Sequence, residues 1–213
     1  MTTSSTSSFG TDTGPEPVPL VTQATVALPS WLTDDAKHYR GVYPTSEDRM
    51  AVAVEVARRN VEERTGGPFG AVIVELKSGR LVSVGVNRVI EQNAAFAHAE
   101  MLAFLMAGRA VENFDLGADD LPAMQLVTSA EPCAMCLGTI PWSGVRSVVC
   151  GARDADIRDI GFDEGAKPND WIAKLNRRGI TVEMDVLRED AIAVLQQYAA
   201  SGSIIYNSRG SSA

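Results

Sequence analysis

The chain has 213 residues, of which 45% are hydrophobic and 22% charged, enough for one well-buried domain with short appendages. No apolar run approaches the roughly 18 residues of a membrane span, and the N-terminus lacks a basic-then-apolar leader, so we expect a cytoplasmic protein with no membrane partner. The net charge of −8 disfavours nucleic acid as a partner, because nucleic acid is bound mainly through Lys and Arg.

The order of helical and strand patterns along the chain predicts the fold class. Residues 1–30 are rich in Ser, Thr, Gly and Pro and predict a disordered arm, with one domain over 31–207 and a disordered tail over 208–213. Helices are predicted to begin at Thr45-Ser46, His98, Pro132, Asn169 and Glu189, and strands to cover 70–75, 81–86, 124–129, 145–150 and 180–186. This order predicts an α/β fold: a three-layer α/β/α sandwich around a five-stranded mixed sheet.

Two short segments carry the chemistry of the chain. The first is His98-Ala99-Glu100, and the second, about 35 residues later, is Pro132-Cys133-Ala134-Met135-Cys136. One imidazole and two thiols at CxxC spacing supply three ligands for Zn²⁺, and water takes the fourth position of a catalytic site. The sequence therefore predicts that His98, Cys133 and Cys136 bind zinc.

The spacing of these residues also suggests how they work. Two cysteines three positions apart lie on one face of a helix, and the N-terminus of a helix favours the thiolate form. Glu100 follows His98 by two residues, too close to bind the same ion easily but near enough to reach the water. We therefore expect Glu100 to be the proton shuttle.

Other interpretations of these residues are less favourable. A redox-active CxxC has no need of His98 and Glu100. A purely structural zinc site usually has a fourth Cys or His, for which Cys150 and His38 are the candidates. Three cysteines, two of them in CxxC, fit a metal in a reducing compartment better than a disulfide framework.

The pattern H-x-E followed by P-C-x-x-C matches the general signature of zinc deaminases. Over residues 46–206 the chain resembles the cytidine deaminase-like superfamily, in particular its guanine deaminase and tRNA adenosine deaminase branches. The resemblance lies in the segment Gly67-Pro68-Phe69-Gly70-Ala71-Val72-Ile73-Val74 and in Glu131-Pro132-Cys133-Ala134-Met135-Cys136-Leu137-Gly138. It implies the cytidine deaminase-like fold, the zinc ligands named above and the role of Glu100.

The resemblance also implies substrate contacts. Asn87 matches an asparagine that hydrogen-bonds the ring, Trp142 matches an aromatic residue of a purine pocket, and Ala99 is expected beside the substrate. The alternative for Trp142 is packing in the core. Tyr206, after the last helix, would either close the pocket or anchor that helix.

Residues Gly161-Phe162-Asp163-Glu164 resemble a G-F-D-D segment of the guanine deaminase branch, whose acidic residue reads a purine amino group. An unpaired buried amine would be costly, which favours an acceptor here. The alternative is that Asp163 and Glu164 form a capping or solvated pair. The chain departs from the branch at Phe96, where a small polar residue is usual, and at Glu164, where the usual residue is Asp. Both differences bear on which ring is accepted.

The predicted function is zinc-dependent hydrolytic deamination of a nucleobase, a purine base such as guanine, by a homodimer that releases ammonia. The enzyme alternatives are a tRNA adenosine deaminase and a purine nucleoside deaminase. A pyrimidine-like ring is a further alternative for the substrate. The alternative from another class is a zinc-stabilised binding module, which would have no need of Glu100.

Overall fold

The computed structural model of the chain describes residues 18–34 and 36–207. The predicted disorder of residues 1–17 and 208–213 therefore lies outside the described residues. Residues 18–29 contain no helix or strand, and two short helices follow, α1 (Ser30–Asp34) and α2 (Ala36–Tyr39). Trp31 and Leu32 of α1 and Tyr39 of α2 are buried, so this segment packs on the body of the domain.

Five strands form one sheet, in the order β2-β1-β3-β4-β5. The strands are β1 (Gly70–Glu75), β2 (Leu81–Val86), β3 (Met124–Ala130), β4 (Ser147–Ala152) and β5 (Thr181–Glu183). Strand β1 is antiparallel to β2 and β3, whereas β3, β4 and β5 run parallel. The prediction of a five-stranded mixed sheet is confirmed.

Helices cover both faces of the sheet. The longer helices are α3 (Ser46–Glu62), α4 (Ala99–Ala110), α5 (Ala134–Ser143) and α8 (Arg188–Ala200), and the shorter ones are α6 (Asp154–Asp159) and α7 (Trp171–Asn176). On β1, Val72 and Val74 face the cluster formed with α3 and α8, while Ala71 and Ile73 face the cluster formed with α4, α5 and α7. This alternation follows from the period-two geometry of a strand and confirms the three-layer sandwich.

Helix α3 begins at the predicted residue. Thr45 is its N-cap: the Thr45 hydroxyl accepts from the backbone N–H of Asp48, and the Asp48 carboxylate accepts from that of Thr45. This reciprocal pair satisfies two backbone donors that the first turn of a helix leaves free.

Several elements differ from the prediction. Helix α6 was not predicted, because six residues are too few for a helical period to be visible in the sequence. Strand β5 covers only three residues instead of 180–186, since the sheet offers it a partner only over Ser147–Val149. None of the helices within residues 18–34 and 36–207 is long and apolar enough to cross a bilayer.

Candidate metal centre and active site

The predicted zinc ligands lie at the starts of two helices. His98 is the N-cap residue of α4 and Cys133 is the N-cap residue of α5, both with extended backbone. Cys136 lies one turn further along α5 and is fully buried. The two helix N-termini therefore converge on one point, as the spacing of the motifs predicts.

The three ligand atoms fit a tetrahedral metal. The Nδ1 atom of His98 lies 3.5 Å from Sγ of Cys133 and 3.6 Å from Sγ of Cys136, and all three atoms lie within 4.8 Å of one another. Zinc bonds of about 2.3 Å to sulfur and 2.0–2.1 Å to nitrogen in a tetrahedron require N to S separations of about 3.5 Å. The donor set of two thiols and an imidazole is also one that zinc prefers, so the residues fit the metal.

The two thiols differ in acidity. The pKa of Cys133 is lowered to about 4, because its sulfur accepts a hydrogen bond from Cys136 and lies beside His98. The pKa of Cys136 is raised, because its proton is shared with Cys133 and its thiol is buried near Glu100. Cys133 is thus a thiolate that is ready to bind a cation.

Glu100 lies in the first turn of α4, two residues after a predicted zinc ligand, and is 6% exposed. Its burial raises its pKa, and the nearby Cys133 thiolate acts in the same direction. Burial thus makes this carboxylate a stronger base than an exposed glutamate, and that is the property a proton carrier needs.

Two adjoining cavities reach these residues. The outer cavity has a volume of about 450 Å³, within the usual range of small-molecule sites, and is lined by residues that include His98, Cys133, Glu164 and Tyr206. The inner chamber has a volume of about 30 Å³ and is lined by Glu100 and Asn87 as well as by the four residues just named. A chamber of this size has room for a water molecule but not for a purine ring.

Glu164 is the buried member of the acidic pair, at 6% exposure. Its backbone carbonyl accepts from the N–H of Ala134 at 2.9 Å, so its loop is attached to the first turn of α5. The pKa of Glu164 is raised to about 8, chiefly by burial and then by the Cys133 thiolate. Within the described residues its carboxyl group makes no hydrogen bond, and the side chain lines both cavities.

Asn87 and Tyr206 meet at the inner chamber. Asn87 Nδ2 donates to the Tyr206 hydroxyl at 2.6 Å, and the Tyr206 ring lies edge-on to the rings of His98 and Phe162. The burial of the Tyr206 hydroxyl raises its pKa. The C-terminal segment therefore forms one wall of the site, as one of the two interpretations of Tyr206 predicts.

The other predicted substrate contacts lie elsewhere in this chain. Trp142 is 84% exposed and lines a different groove, because six positions along a helix turn it by roughly 240° from Cys136, which faces the core. Phe96 is 48% exposed and lines neither cavity, since its loop directs only Val89 and Ala95 inward. Ala99 is completely buried against β2, on the far side of its helix turn.

Asp163 occupies the rim of the site. Its Oδ1 accepts from the backbone N–H of Gly165 at 2.9 Å and lies 3.6 Å from Nη1 of Arg158, and its side chain is 60% exposed. Asp163 and Glu164 both line the two cavities, and Asp163 is the more exposed of the pair.

Sequence reasoning missed the residue that secures this loop. Lys167 Nζ lies 2.9 Å from a carboxylate oxygen of Glu131 and 2.7 Å from one of Asp154, and donates to the carbonyl of Pro132 at 3.0 Å. Pro132 precedes Cys133, so Lys167 joins the Glu164 loop to the metal-binding segment. A lone lysine in a loop carries no signal by which this contact could be predicted.

The zinc-binding geometry, the buried Glu100 and the strand order of the sheet together define the class of enzyme to which the chain belongs. Residues 44–152 match the family described as the cytidine and deoxycytidylate deaminase zinc-binding region, and the chain belongs to this family. It is a zinc-dependent hydrolytic deaminase.

Several members of the family with described activities are similar to this chain. Guanine deaminase of Bacillus subtilis is 42% identical over 112 residues, which are 53% of this chain and 67% of the relative. The tRNA-specific adenosine deaminase of Buchnera aphidicola is 28% identical over 149 residues, which are 70% of this chain and 90% of the relative. The crystal structure described as guanine deaminase from Nitrosomonas europaea is 44% identical, with a TM-score of 0.81 over 86% of this chain and 100% of the relative. The protein NE0047 in complex with 2,6-diaminopurine is 46% identical, with a TM-score of 0.81 over 87% and 97%.

Proposed function

We propose that this enzyme deaminates a free purine base, with guanine as the first candidate. The observation that carries the proposal is the Glu164 carboxyl group, which lines both cavities beside the metal-binding residues and makes no hydrogen bond within the described part of the chain. A carboxyl group that faces a cavity without a protein partner is free to accept from a ligand. The exocyclic amine and ring N–H of an aminopurine are such donors.

The similar proteins support a purine base as the substrate. Two of those named above are described as guanine deaminases, and NE0047 has been crystallised with 8-azaguanine and with 2,6-diaminopurine. The outer cavity of about 450 Å³ has room for a free base.

The reaction consumes water and releases ammonia. Zinc held by His98, Cys133 and Cys136 would lower the pKa of a bound water to about 7. Glu100 accepts a proton from the attacking water and delivers protons to the ring nitrogen and to the departing amine. The bond between the ring carbon and its exocyclic amine breaks, a C=O bond forms at that carbon, and the amine leaves as ammonia. Asn87 donates to the ring through the N–H of Nδ2 that does not bond Tyr206.

Deamination of tRNA is the second candidate, because several similar proteins are tRNA-specific adenosine deaminases. Two features favour the small substrate. Tyr206 and Asn207 cover one side of the cavity, and the chain has a net charge of −8, which repels a polyanion.

We further infer that the enzyme is a homodimer. Trp142 and Phe114 are 84% and 94% exposed and lie in one groove with Met101, Phe104 and Leu105 between α4 and α5. Exposed aromatic side chains clustered in this way mark an interaction surface. The occupant that fits is the same face of a second copy, since two-fold contacts bury the same apolar residues on both chains.

A cytoplasmic location accords with the state of the cysteines. Cys133, Cys136 and Cys150 are all free thiols, and a reducing compartment keeps them so.

The test is an ammonia-release assay of the zinc-loaded protein. The panel contains guanine, 2,6-diaminopurine, adenine, guanosine, cytosine and a tRNA anticodon stem-loop. Turnover of guanine or diaminopurine with a much lower rate on the nucleoside is the expected result. Turnover of the stem-loop alone would overturn the proposal, and turnover of cytosine alone would replace purine with pyrimidine.

A further inference from the structure

Asn60, on α3, lies outside the residues that line the cavities, yet its side chain is bonded to the backbone that carries Asn87. It is completely buried. Its Nδ2 donates to the carbonyl of Asn87 at 2.9 Å and to the carbonyl of Gly67 at 2.9 Å. Both N–H groups of the amide are therefore used.

The carbonyl of Asn87 is tightly enclosed on its other side. A Cβ added at Gly66 would lie 1.8 Å from that oxygen and 2.6 Å from Nδ2 of Asn60, so a side chain at Gly66 cannot be accommodated. The backbone N–H of Asn87 donates to the carbonyl of Phe69 at 3.1 Å, and its Oδ1 accepts from the N–H of Val89 at 3.3 Å. These contacts leave Nδ2 of Asn87 facing the inner chamber.

The Asn60 amide is oriented in turn by a chain of hydrogen bonds that reaches the N-terminal segment. Its Oδ1 accepts from the Thr65 hydroxyl at 2.8 Å, and the Thr65 hydroxyl accepts from Nε1 of Trp31 at 2.9 Å. The order Trp31, Thr65, Asn60, Asn87 connects α1 to the site through side chains and one backbone carbonyl. Such a chain fixes the orientation of the Asn60 amide, because both of its N–H groups and its oxygen have partners.

We propose that Asn60 is a positioning residue that aims the Asn87 carboxamide at the substrate ring, and that Trp31 supports it through Thr65. This proposal rests on the proposed function only for the identity of the ring. It predicts a loss of substrate binding without a loss of metal when Asn60 is replaced.

The experiment uses Asn60→Leu, the milder Trp31→Phe, and Gln125→Leu as a matched control. Gln125 is also a buried amide with two side-chain partners, Arg49 and Ser147, but it does not line the site. The first measurement needs no substrate: the ¹⁵N–¹H signals of the Asn87 side-chain amide, assigned with Asn87→Ala. We expect Asn60→Leu and Trp31→Phe to shift or broaden them and Gln125→Leu to leave them unchanged.

The second measurement is kinetic, with a base that the unmodified enzyme turns over. Asn60→Leu is expected to raise KM about tenfold with full zinc content, and the same change in an Asn87→Ala background is expected to have no further effect on KM. An unchanged Asn87 signal in both Asn60→Leu and Trp31→Phe, or an equal KM effect in the Asn87→Ala background, would overturn the proposal. Failure of all bases as substrates would refute the proposed function alone, because the spectroscopic result stands without it. If Asn60→Leu does not fold, the Asn87 side-chain signals of Trp31→Phe test the proposal instead.

Discussion

Nδ2 of Asn87 donates to the hydroxyl of Tyr206 at 2.6 Å, across 119 positions of the chain. The bond joins the residue after β2 to the segment that follows the last helix. It uses one of the two N–H groups of the Asn87 amide and leaves the second for the substrate ring. The tyrosine hydroxyl therefore fixes the direction of the donor that we propose for the ring.

Removal of this hydroxyl should weaken substrate binding. Tyr206→Phe retains the ring packed against Phe162 and His98 but removes the acceptor that orients the Asn87 amide. We expect a KM several-fold higher with kcat nearly unchanged, because one neutral hydrogen bond contributes about 0.5–1.5 kcal/mol. Steady-state kinetics measures both constants. Tyr198→Phe is the control, since the Tyr198 hydroxyl bonds the same C-terminal segment at Ile204 without touching Asn87. A lower KM in Tyr206→Phe would mean that the hydroxyl competes with the ring for the amide.

Loss of the proton carrier should abolish turnover without loss of metal. Glu100→Gln keeps the shape of the side chain, and we expect kcat to fall by about 10²–10⁴-fold with one zinc per chain in elemental analysis. Glu75→Gln is the matched control, because Glu75 is also buried but lies at the opposite end of β1 from the site and pairs with Arg80. Near-native activity of Glu100→Gln would remove Glu100 from the mechanism.

Metal removal should expose one reactive thiol. In the chelated protein we expect iodoacetamide to label Cys133 first, at a rate that is nearly constant from about pH 6 to 8, because its pKa of about 4 keeps it a thiolate throughout. Cys136 and Cys150 are buried and their pKa values are raised, so they should react only on unfolding. Peptide mapping by mass spectrometry identifies the labelled residue. Zinc should protect Cys133, and a labelling rate that climbs tenfold per pH unit would contradict the assigned thiolate.

The exposed aromatic groove should control assembly. We expect the unmodified chain to run as a dimer in light scattering after size exclusion, and the double variant Phe114→Lys with Trp142→Lys to run as a monomer. Two charges per chain would be buried without partners at such an interface. Val42→Lys is the control, since Val42 is 63% exposed and lies on a different surface. A dimer that survives the double change would place the interface elsewhere.

The ion pair between α6 and α8 should give stability that depends on pH. The carboxylate of Asp156 accepts from Arg188 at 2.7 and 2.8 Å, and this hydrogen bonding lowers its pKa below the ordinary 3.8. A lowered pKa stabilises the folded chain fully above about pH 4, and the contribution is lost as the pH falls through the lower folded value. Asp156→Asn should thus lower the free energy of unfolding by about 1–2 kcal/mol at pH 7. Urea titrations at pH 7 and pH 3 should show this difference shrinking, and an equal loss at both pH values would exclude the ionic contribution.

The sequence predicted the sheet and the metal centre well, because both depend on local patterns. A short apolar run marks β1, apolar residues at every second position mark β2, and a proline before a CxxC pair marks the start of α5. His98 and Cys133 lie at the helix ends where these patterns end, so their convergence follows once the sheet is formed.

The substrate side of the site depends on side-chain direction and on contacts distant in sequence, which local patterns do not carry. A resemblance marks Trp142 as a pocket residue, yet the turn of α5 directs it away from the cavity of its own chain. Lys167 and Asn60 act through neighbours 35 and 27 positions away. Neither residue belongs to a recurring motif, so no periodicity could indicate them.

The bond between the Glu164 carbonyl and the Ala134 N–H has a consequence for how this enzyme can be altered. The loop is secured to the helix by its main chain, and that attachment does not depend on which side chain position 164 carries. Acids, amides and shorter groups can therefore be exchanged there while the hydrolytic machinery stays assembled. Position 164 is thus a suitable starting point for a combinatorial library selected for activity on new ring substrates. Each member would keep the zinc ligands and Glu100 and would differ only in substrate specificity.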